Sequence, residues 1–254
     1  MPLAGTAHGR EVVGLGAGGD QTIYLDQLAE GIVVRHLEQA YRSGLRFHLI
    51  SEELGERDFG GPALILADPL DGSVNAKMGL PYYAVMLAVT EGDQFRDVRL
   101  GYVQNLVTGD EFHAIAGGGA FRNGKVLAPS PPAFDARSIP LVSFDAPSGV
   151  EPRQRAAAIF ARAEKVRQLG SAALNLCLTA AGGIALQVTP APVRAFDLAG
   201  PLLILREAGG VATDYDGRPL QDVSVRLDSK TTLLASLSAE VHAFARQLVG
   251  DRVA

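Results

Sequence analysis

The sequence predicts an α/β (α+β) fold in two subdomains, residues 1–132 and 133–254. Three observations carry that prediction. Residues 23–41 have the period of one long amphipathic helix, and the stretch after it reads as a run of mostly antiparallel strands. Composition then shifts at residues 128–137, where Pro129, Pro131 and Pro132 crowd together as at a domain boundary. Beyond that point strands and helices alternate, the rhythm of a layered α/β domain.

Composition narrows the function. A chain of 254 residues that is 47% hydrophobic can bury a real core in each half. A net charge of -5 leaves no basic excess to neutralise nucleic-acid phosphates, so no nucleic-acid partner is expected. The single cysteine, Cys177, excludes an intramolecular disulfide and a cysteine-based zinc cluster, and fits a reducing cytoplasm. No basic segment followed by an apolar run marks the N-terminus as a signal peptide, and no apolar run reaches membrane-spanning length.

The first element is glycine-rich. Gly14, Gly16 and Gly19 match G-x-G-x-x-G after the short apolar run Val12-Val13. A dinucleotide fold, and with it an NAD-dependent oxidoreductase, has therefore to be considered. In that fold the helix starts inside the glycine motif, whereas here the helical period begins only near Ile23. A mobile glycine-rich loop is the better reading. In the helix itself Leu25, Leu28, Ile32, Val33 and Leu37 recur at three-to-four spacing, with Asp26 near its start, where a carboxylate suits the helix dipole. A strand at 47–51 leads into Glu52 and Glu53, two carboxylates that in isolation read as solvated.

The next strand, 63–67, ends in Asp68-Pro69-Leu70-Asp71-Gly72-Ser73-Val74-Asn75. Pro69 and Gly72 predict a tight, irregular turn. Such a turn aims Asp68 and Asp71 at one point and bares backbone N–H groups beside them, which suits Mg²⁺ and a phosphate. It is equally what an ordinary strand-ending turn is made of. Strands follow at 82–90, 100–104 and 111–114, and Asn123-Gly124 signals a two-residue hairpin.

The second half predicts strands at 139–143, 165–168 and 184–188, helices at 153–162 and 172–181, then a helix over 197–208, strands near 211 and at 232–236, and a final helix at 239–248. Asp197 opens the third of these helices after Arg194-Ala195-Phe196, and by itself is a good N-cap.

Together these pieces resemble the Mg²⁺-dependent, lithium-sensitive inositol monophosphatase superfamily. Asp68 to Asn75 is similar to its D-P-[IL]-D-G-[ST]-x-N signature. Asp197 with Ala208-Gly209-Gly210 resembles its second signature, Glu52-Glu53 its paired glutamates, and Gly119 to Gly124 its G-A-[FY]-x-N-G hairpin. The likeness runs in order through nearly the whole chain. The short N-terminus, Gly19 to Thr22 and Val193 to Asp197 resemble the archaeal-type enzymes acting on inositol monophosphate and fructose 1,6-bisphosphate.

The resemblance implies a layered αβαβα sandwich with the site between the halves, and a cytoplasmic homodimer. It places Glu52, Asp68, Asp71, Asp197 and the Leu70 carbonyl on two or three Mg²⁺ ions, Mn²⁺ being an alternative. It places Asp26 and Ser73 on the pair that orients the attacking water, and Gly72 and Ser73 on a phosphate cradle. Arg167, Gly170, Ser171 and Ala172 fall on substrate contacts, Arg194 near the sugar side, and the glycine loop with Asp20 on a segment closing over the site. Departures are Ser73 for the commoner Thr, Phe196 for Trp, and Pro190 and Pro192 where polar residues select inositol. The implied reaction is hydrolysis of a sugar or polyol phosphate monoester by a metal-activated water. A 3′(2′),5′-bisphosphate nucleotidase, a histidinol-phosphatase-like activity and a non-catalytic sugar-phosphate sensor are the alternatives on the same fold.

Overall fold

The computed structural model describes residues 3–19, 21–129, 134 and 137–250. The boundary expected at 132/133 therefore lies outside the described residues, as do Pro131, Pro132 and Asp20. After a 3₁₀ turn, His8–Arg10, comes a hairpin, β1 (Val12–Leu15) and β2 (Gln21–Ile23), followed by helix α1 (Tyr24–Arg42). A hairpin–helix order is not the βαβ unit of a dinucleotide fold, so the glycine motif here leads into a turn between antiparallel strands. Then come β3 (His48–Ser51), β4 (Gly55–Asp58), β5 (Leu64–Asp71), the short helix α2 (Ser73–Met78), β6 (Ala84–Thr90), β7 (Val98–Asn105), β8 (Glu111–Ile115), β9 (Gly119–Arg122) and β10 (Lys125–Val126).

These strands form one eight-stranded sheet in the order β10-β9-β8-β7-β6-β5-β3-β4. Only β3 and β5 run parallel in it. The β9–β10 turn has Asn123 at φ 53° and Gly124 at φ 72°, the left-handed pair a two-residue hairpin needs. The second half contributes β11 (Val142–Phe144), α3 (Glu151–Phe160), β12 (Val166–Arg167), α4 (Ala172–Ala180), β13 (Leu186–Arg194), α5 (Ala199–Glu207), β14 (Val211–Thr213), β15 (Lys230–Ser236) and α6 (Ala239–Gly250). Its sheet has the order β12-β11-β13-β15-β14, with β11 parallel to both neighbours.

Burial dictates the layers. Helix α1 buries Leu25 and Ala29 and turns Val33 and Leu37 onto Phe47, Leu49 and Ala67, so it covers one face of the large sheet. Helices α4 and α5 are apolar nearly all round, and such helices must be enclosed. Leu174, Leu176 and Leu202 to Leu205 pack between Met86, Val103 and Phe112 of the first sheet and Leu233 and Ala235 of the second. Helices α3 and α6 lay Ala156, Ile159, Val241 and Ala245 on the outer face of the second sheet, against Val142, Phe144 and Leu234. The result is an αβαβα sandwich. Sheet and central helix meet closely at Gly101, where a Cβ would lie 2.3 Å from the Gly200 carbonyl oxygen.

Candidate active site

The site grows from strand pairing. Strands β3 and β5 are parallel with Ser51 opposite Ala67, and the Glu52 N–H donates to the Ala67 carbonyl (3.2 Å). The next residues on the two strands, Glu52 and Asp68, are thereby carried out side by side. Pro69 and Gly72 predict a turn directly after Ala67; β5 instead runs on to Asp71. Asp68 pairs with Met86 and Asp71 with Ala84, so Pro69 and Leu70 stand opposite one residue in a β-bulge. Proline is tolerated there because a bulge needs no ladder N–H. The turn falls at Gly72, whose φ of 88° favours glycine and which starts α2. Asp68 is buried, 2% exposed, and one carboxylate oxygen accepts the Leu70 N–H (3.0 Å).

The third carboxylate arrives from the other half. Asp197 was expected as an N-cap opening a helix. It lies instead inside a 3₁₀ turn, Phe196–Leu198, ahead of α5. Its carboxylate is taken by Arg194, the last residue of β13, whose Nε lies 3.0 Å from Asp197 Oδ2. Glu52, Asp68 and Asp197 each present an oxygen within 4.8 Å of the others. Arg194 joins them, with Nη1 2.5 Å from Glu52 Oε1.

Asp26 and Ser73 border the same place. A crevice of about 10 Å³ is lined by Asp26, Glu52, Glu53, Asp68, Pro69, Leu70 and Ser73, room for roughly one water-sized group. Asp26 is held by the Ile23 N–H (2.9 Å), a capping contact that fixes its side chain at the start of α1.

Asp71 points to the second half. It accepts the Ser171 hydroxyl and the N–H groups of Ala172 (3.2 Å) and Ala173 (3.0 Å), and so caps α4 from a different part of the chain. Asn75 ties the same seam, donating to the carbonyls of Tyr82 and Leu169, both at 2.7 Å. Gly170, with φ 83°, lies against the Asn75 amide, where a Cβ would come within 3.0 Å. Gly72 packs on the same segment, where a Cβ would lie 3.0 Å from the Gly170 oxygen and 3.3 Å from Ser171 Cβ. Arg167 is elsewhere: it is exposed on β12, and its guanidinium donates to the Val166 carbonyl (2.9 Å).

The glycine-rich segment sits on the paired glutamates. Ala17 and Gly18 donate to the carbonyls of Glu53 (3.1 Å) and Glu52 (2.8 Å), and the Glu53 carboxylate accepts the Thr22 hydroxyl. A Cβ on Gly16 would come within 2.6 Å of Glu53 Oε2, and one on Gly18 within 2.6 Å of Arg194 Nη1. The close approach explains these two glycines. The Thr22 contact and the Arg194 bridge were not legible in the sequence, because both partners are remote along the chain.

Burial governs the electrostatics. It is the largest cause pushing Glu52 up to about 7, with Asp197 adding to it and Arg194 opposing. Burial, then the charges of Glu52, Asp197 and Asp71, holds Asp68 well above the usual carboxylate range. Asp26 is raised to about 6 by burial despite the Ile23 hydrogen bond. Asp71 is also raised to about 6 by burial, with the Ser171 and α4 hydrogen bonds pulling it down. Crowded hard-oxygen donors that resist ionising together are what a divalent cation binds and neutralises.

Comparison with known proteins gives the same direction. A family model described as "Inositol monophosphatase family" matches residues 9–248. The fructose-1,6-bisphosphatase/inositol-1-monophosphatase of Methanothermobacter thermautotrophicus is 34% identical, over 95% of this chain and 88% of that protein. The enzyme of the same name from Thermococcus kodakarensis is 30% identical, over 92% and 85%. A solved structure of an inositol monophosphatase–fructose 1,6-bisphosphatase superposes with a TM-score of 0.80 at 27% identity, covering 95% of this chain and 91% of that one.

Proposed function

The chain belongs to the inositol monophosphatase family and is a phosphoric monoester hydrolase of sugar phosphates; from that premise we propose a Mg²⁺-dependent enzyme acting on fructose 1,6-bisphosphate and inositol monophosphate. The observation that carries the metal is the meeting of Glu52, Asp68 and Asp197 from three separate segments, with oxygens within 4.8 Å of one another. Those three, with the Leu70 carbonyl and Asp71, would hold two or three Mg²⁺ ions, and Mn²⁺ would fit the same donors. When bound, the metal supplies charge neutralisation for the phosphate and leaving oxygen and acidifies water.

The chain's own groups do the rest. Ser73 and Asp26, which line one crevice with Glu52 and Asp68, orient the attacking water and receive its proton. Phosphoryl transfer asks mainly for positioning and charge stabilisation. Gly72 and Ser73 supply close-approaching backbone N–H groups for phosphate oxygens. Gly170, Ser171 and Ala172 face them across the seam between residues 1–132 and 133–254 and contact the sugar. Arg167, exposed on its edge strand, would serve only a second, distal phosphate.

The same reading includes inhibition by Li⁺ and a homodimer working in the cytoplasm. The one cysteine, Cys177, is buried in α4, compatible with a reducing compartment. No helix among the described residues is long and apolar enough to cross a membrane.

Phosphate release is to be measured from fructose 1,6-bisphosphate, inositol 1-phosphate and adenosine 3′,5′-bisphosphate, with Mg²⁺, with chelator and with added Li⁺. The first two should turn over with Mg²⁺ alone, and Asp68→Asn should lose at least about 100-fold of that activity. Turnover in chelator, or a fully active Asp68→Asn, would overturn the metal assignment. Preference for the nucleotide would overturn the substrate class.

A further inference from the structure

The fold carries a cation, Arg194, into the carboxylate cluster. Its place is built from both ends. Strand β13 runs antiparallel to β15, with Arg194 opposite Lys230, and ends there; the chain then turns through Phe196–Leu198, so Arg194 and Asp197 share one turn. The guanidinium spans the cluster, Nη1 on Glu52 at 2.5 Å and Nε on Asp197 at 3.0 Å. It is about four-fifths buried, as are both partners. Gly18 leaves the space it occupies, since a Cβ there would reach 2.6 Å from Nη1 and 3.1 Å from Glu52 Cγ. The Gly18 N–H meanwhile holds the Glu52 carbonyl (2.8 Å).

Two of the three carboxylates that can gather a metal are therefore engaged by a group of the chain itself. An ion pair removed this far from water is not the weak surface kind. Breaking one partner away leaves the others as uncompensated buried charge. A divalent cation and the guanidinium ask for the same oxygens, so each must weaken the other's hold by the same factor.

We infer that Arg194 is an internal counter-ion that competes with the divalent cation for Glu52 and Asp197. It holds the carboxylates together before metal arrives and sets how tightly metal binds. The guanidinium, once displaced from the carboxylates, stays beside the site as a planar donor for an anionic substrate. This rests on the metal-dependent reading above and adds to it a residue that tunes affinity without being a ligand.

The competition has a signature that a purely structural arginine lacks. Arg194→Met removes the competitor while keeping a side chain of comparable length. Mg²⁺ binding, followed by titration calorimetry at fixed pH, should tighten by about 10-fold or more, whereas loss of a structural prop would weaken it. In chelator the variant should melt at a lower temperature than the native protein, because the buried carboxylates lose their counter-charge. Mg²⁺ should then raise its melting temperature by more than it raises the native protein's. Arg194→Lys keeps a charge but not the two-armed geometry and should bind Mg²⁺ with intermediate affinity; it also serves if the methionine variant does not fold. Variants that bind Mg²⁺ no more tightly than the native protein would overturn the proposal alone. A native protein that binds no Mg²⁺ would overturn the metal-dependent reading and this proposal with it.

Discussion

At the scale of single residues, the site is a set of carboxylates kept where they resist ionising. Glu52 stands at about 7 and Asp26 and Asp71 at about 6, burial being the main cause each time. The unfolded chain, with ordinary values, binds fewer protons in that range, so this part of the stability is fully present below the unfolded values and is lost as pH rises through 6 to 7. His242, lowered mainly by burial, acts in the opposite sense, so the informative comparison is with and without metal. In chelator the melting temperature should fall from pH 5 to 8; with Mg²⁺ the fall should flatten or reverse. Mg²⁺ affinity should rise across the same interval, because protons and metal compete for the same oxygens. Ser73→Ala is expected to lower kcat by about 100-fold with Mg²⁺ affinity unchanged; a matching loss of metal binding would instead make the hydroxyl part of the metal site. Asp68, Asp71 and Ser73 were legible as a motif. That Asp71 would cap α4, and that Arg194 would sit on Glu52, were not, because partners a hundred residues or more apart leave no local pattern.

Single elements show which local signals held. The helix expected at 23–41 is Tyr24–Arg42, and the Asn123-Gly124 hairpin forms with both residues left-handed. Periodicity and turn chemistry are local, so they are readable. The misplaced feature is the turn after Ala67, where Pro69 signalled a break and the strand continued through a bulge to Asp71. The unannounced elements are β4, α2 and the β1–β2 hairpin, all short. The bulge makes Gly72 the hinge of the site. Its φ is 88°, and a Cβ would lie 3.0 Å from the Gly170 oxygen and 3.1 Å from the Tyr82 oxygen. Gly72→Ala should therefore cost about 1–2 kcal/mol in urea unfolding and lower turnover by opening the seam. Undiminished stability and turnover would show that the turn tolerates a side chain.

The whole molecule places the chemistry between layers. Helices α4 and α5 belong to the second half of the sequence, yet their apolar faces fill the space between both sheets, so one core joins residues as distant as Ile50 and Ala235. Gly101 and Gly200 let the large sheet and α5 touch, with 2.3 Å from a Cβ at Gly101 to the Gly200 oxygen. Gly101→Ala should push the layers apart and destabilise by roughly 1–3 kcal/mol, visible as a lower urea midpoint. A midpoint equal to the native protein's would mean the layers can slide. What the sequence by itself determined is what its neighbours in the chain decide: the long helix, most strands, the hairpin, and the Asp68–Asn75 motif with its chemistry of hard oxygens. Only the tertiary structure decided which carboxylates meet. Glu52 and Asp68 are adjacent because β3 and β5 pair in parallel register, and Asp197 reaches them because β13 ends across the cleft. Register and layer packing are set by burial summed over the whole core, and no window of sequence contains that sum.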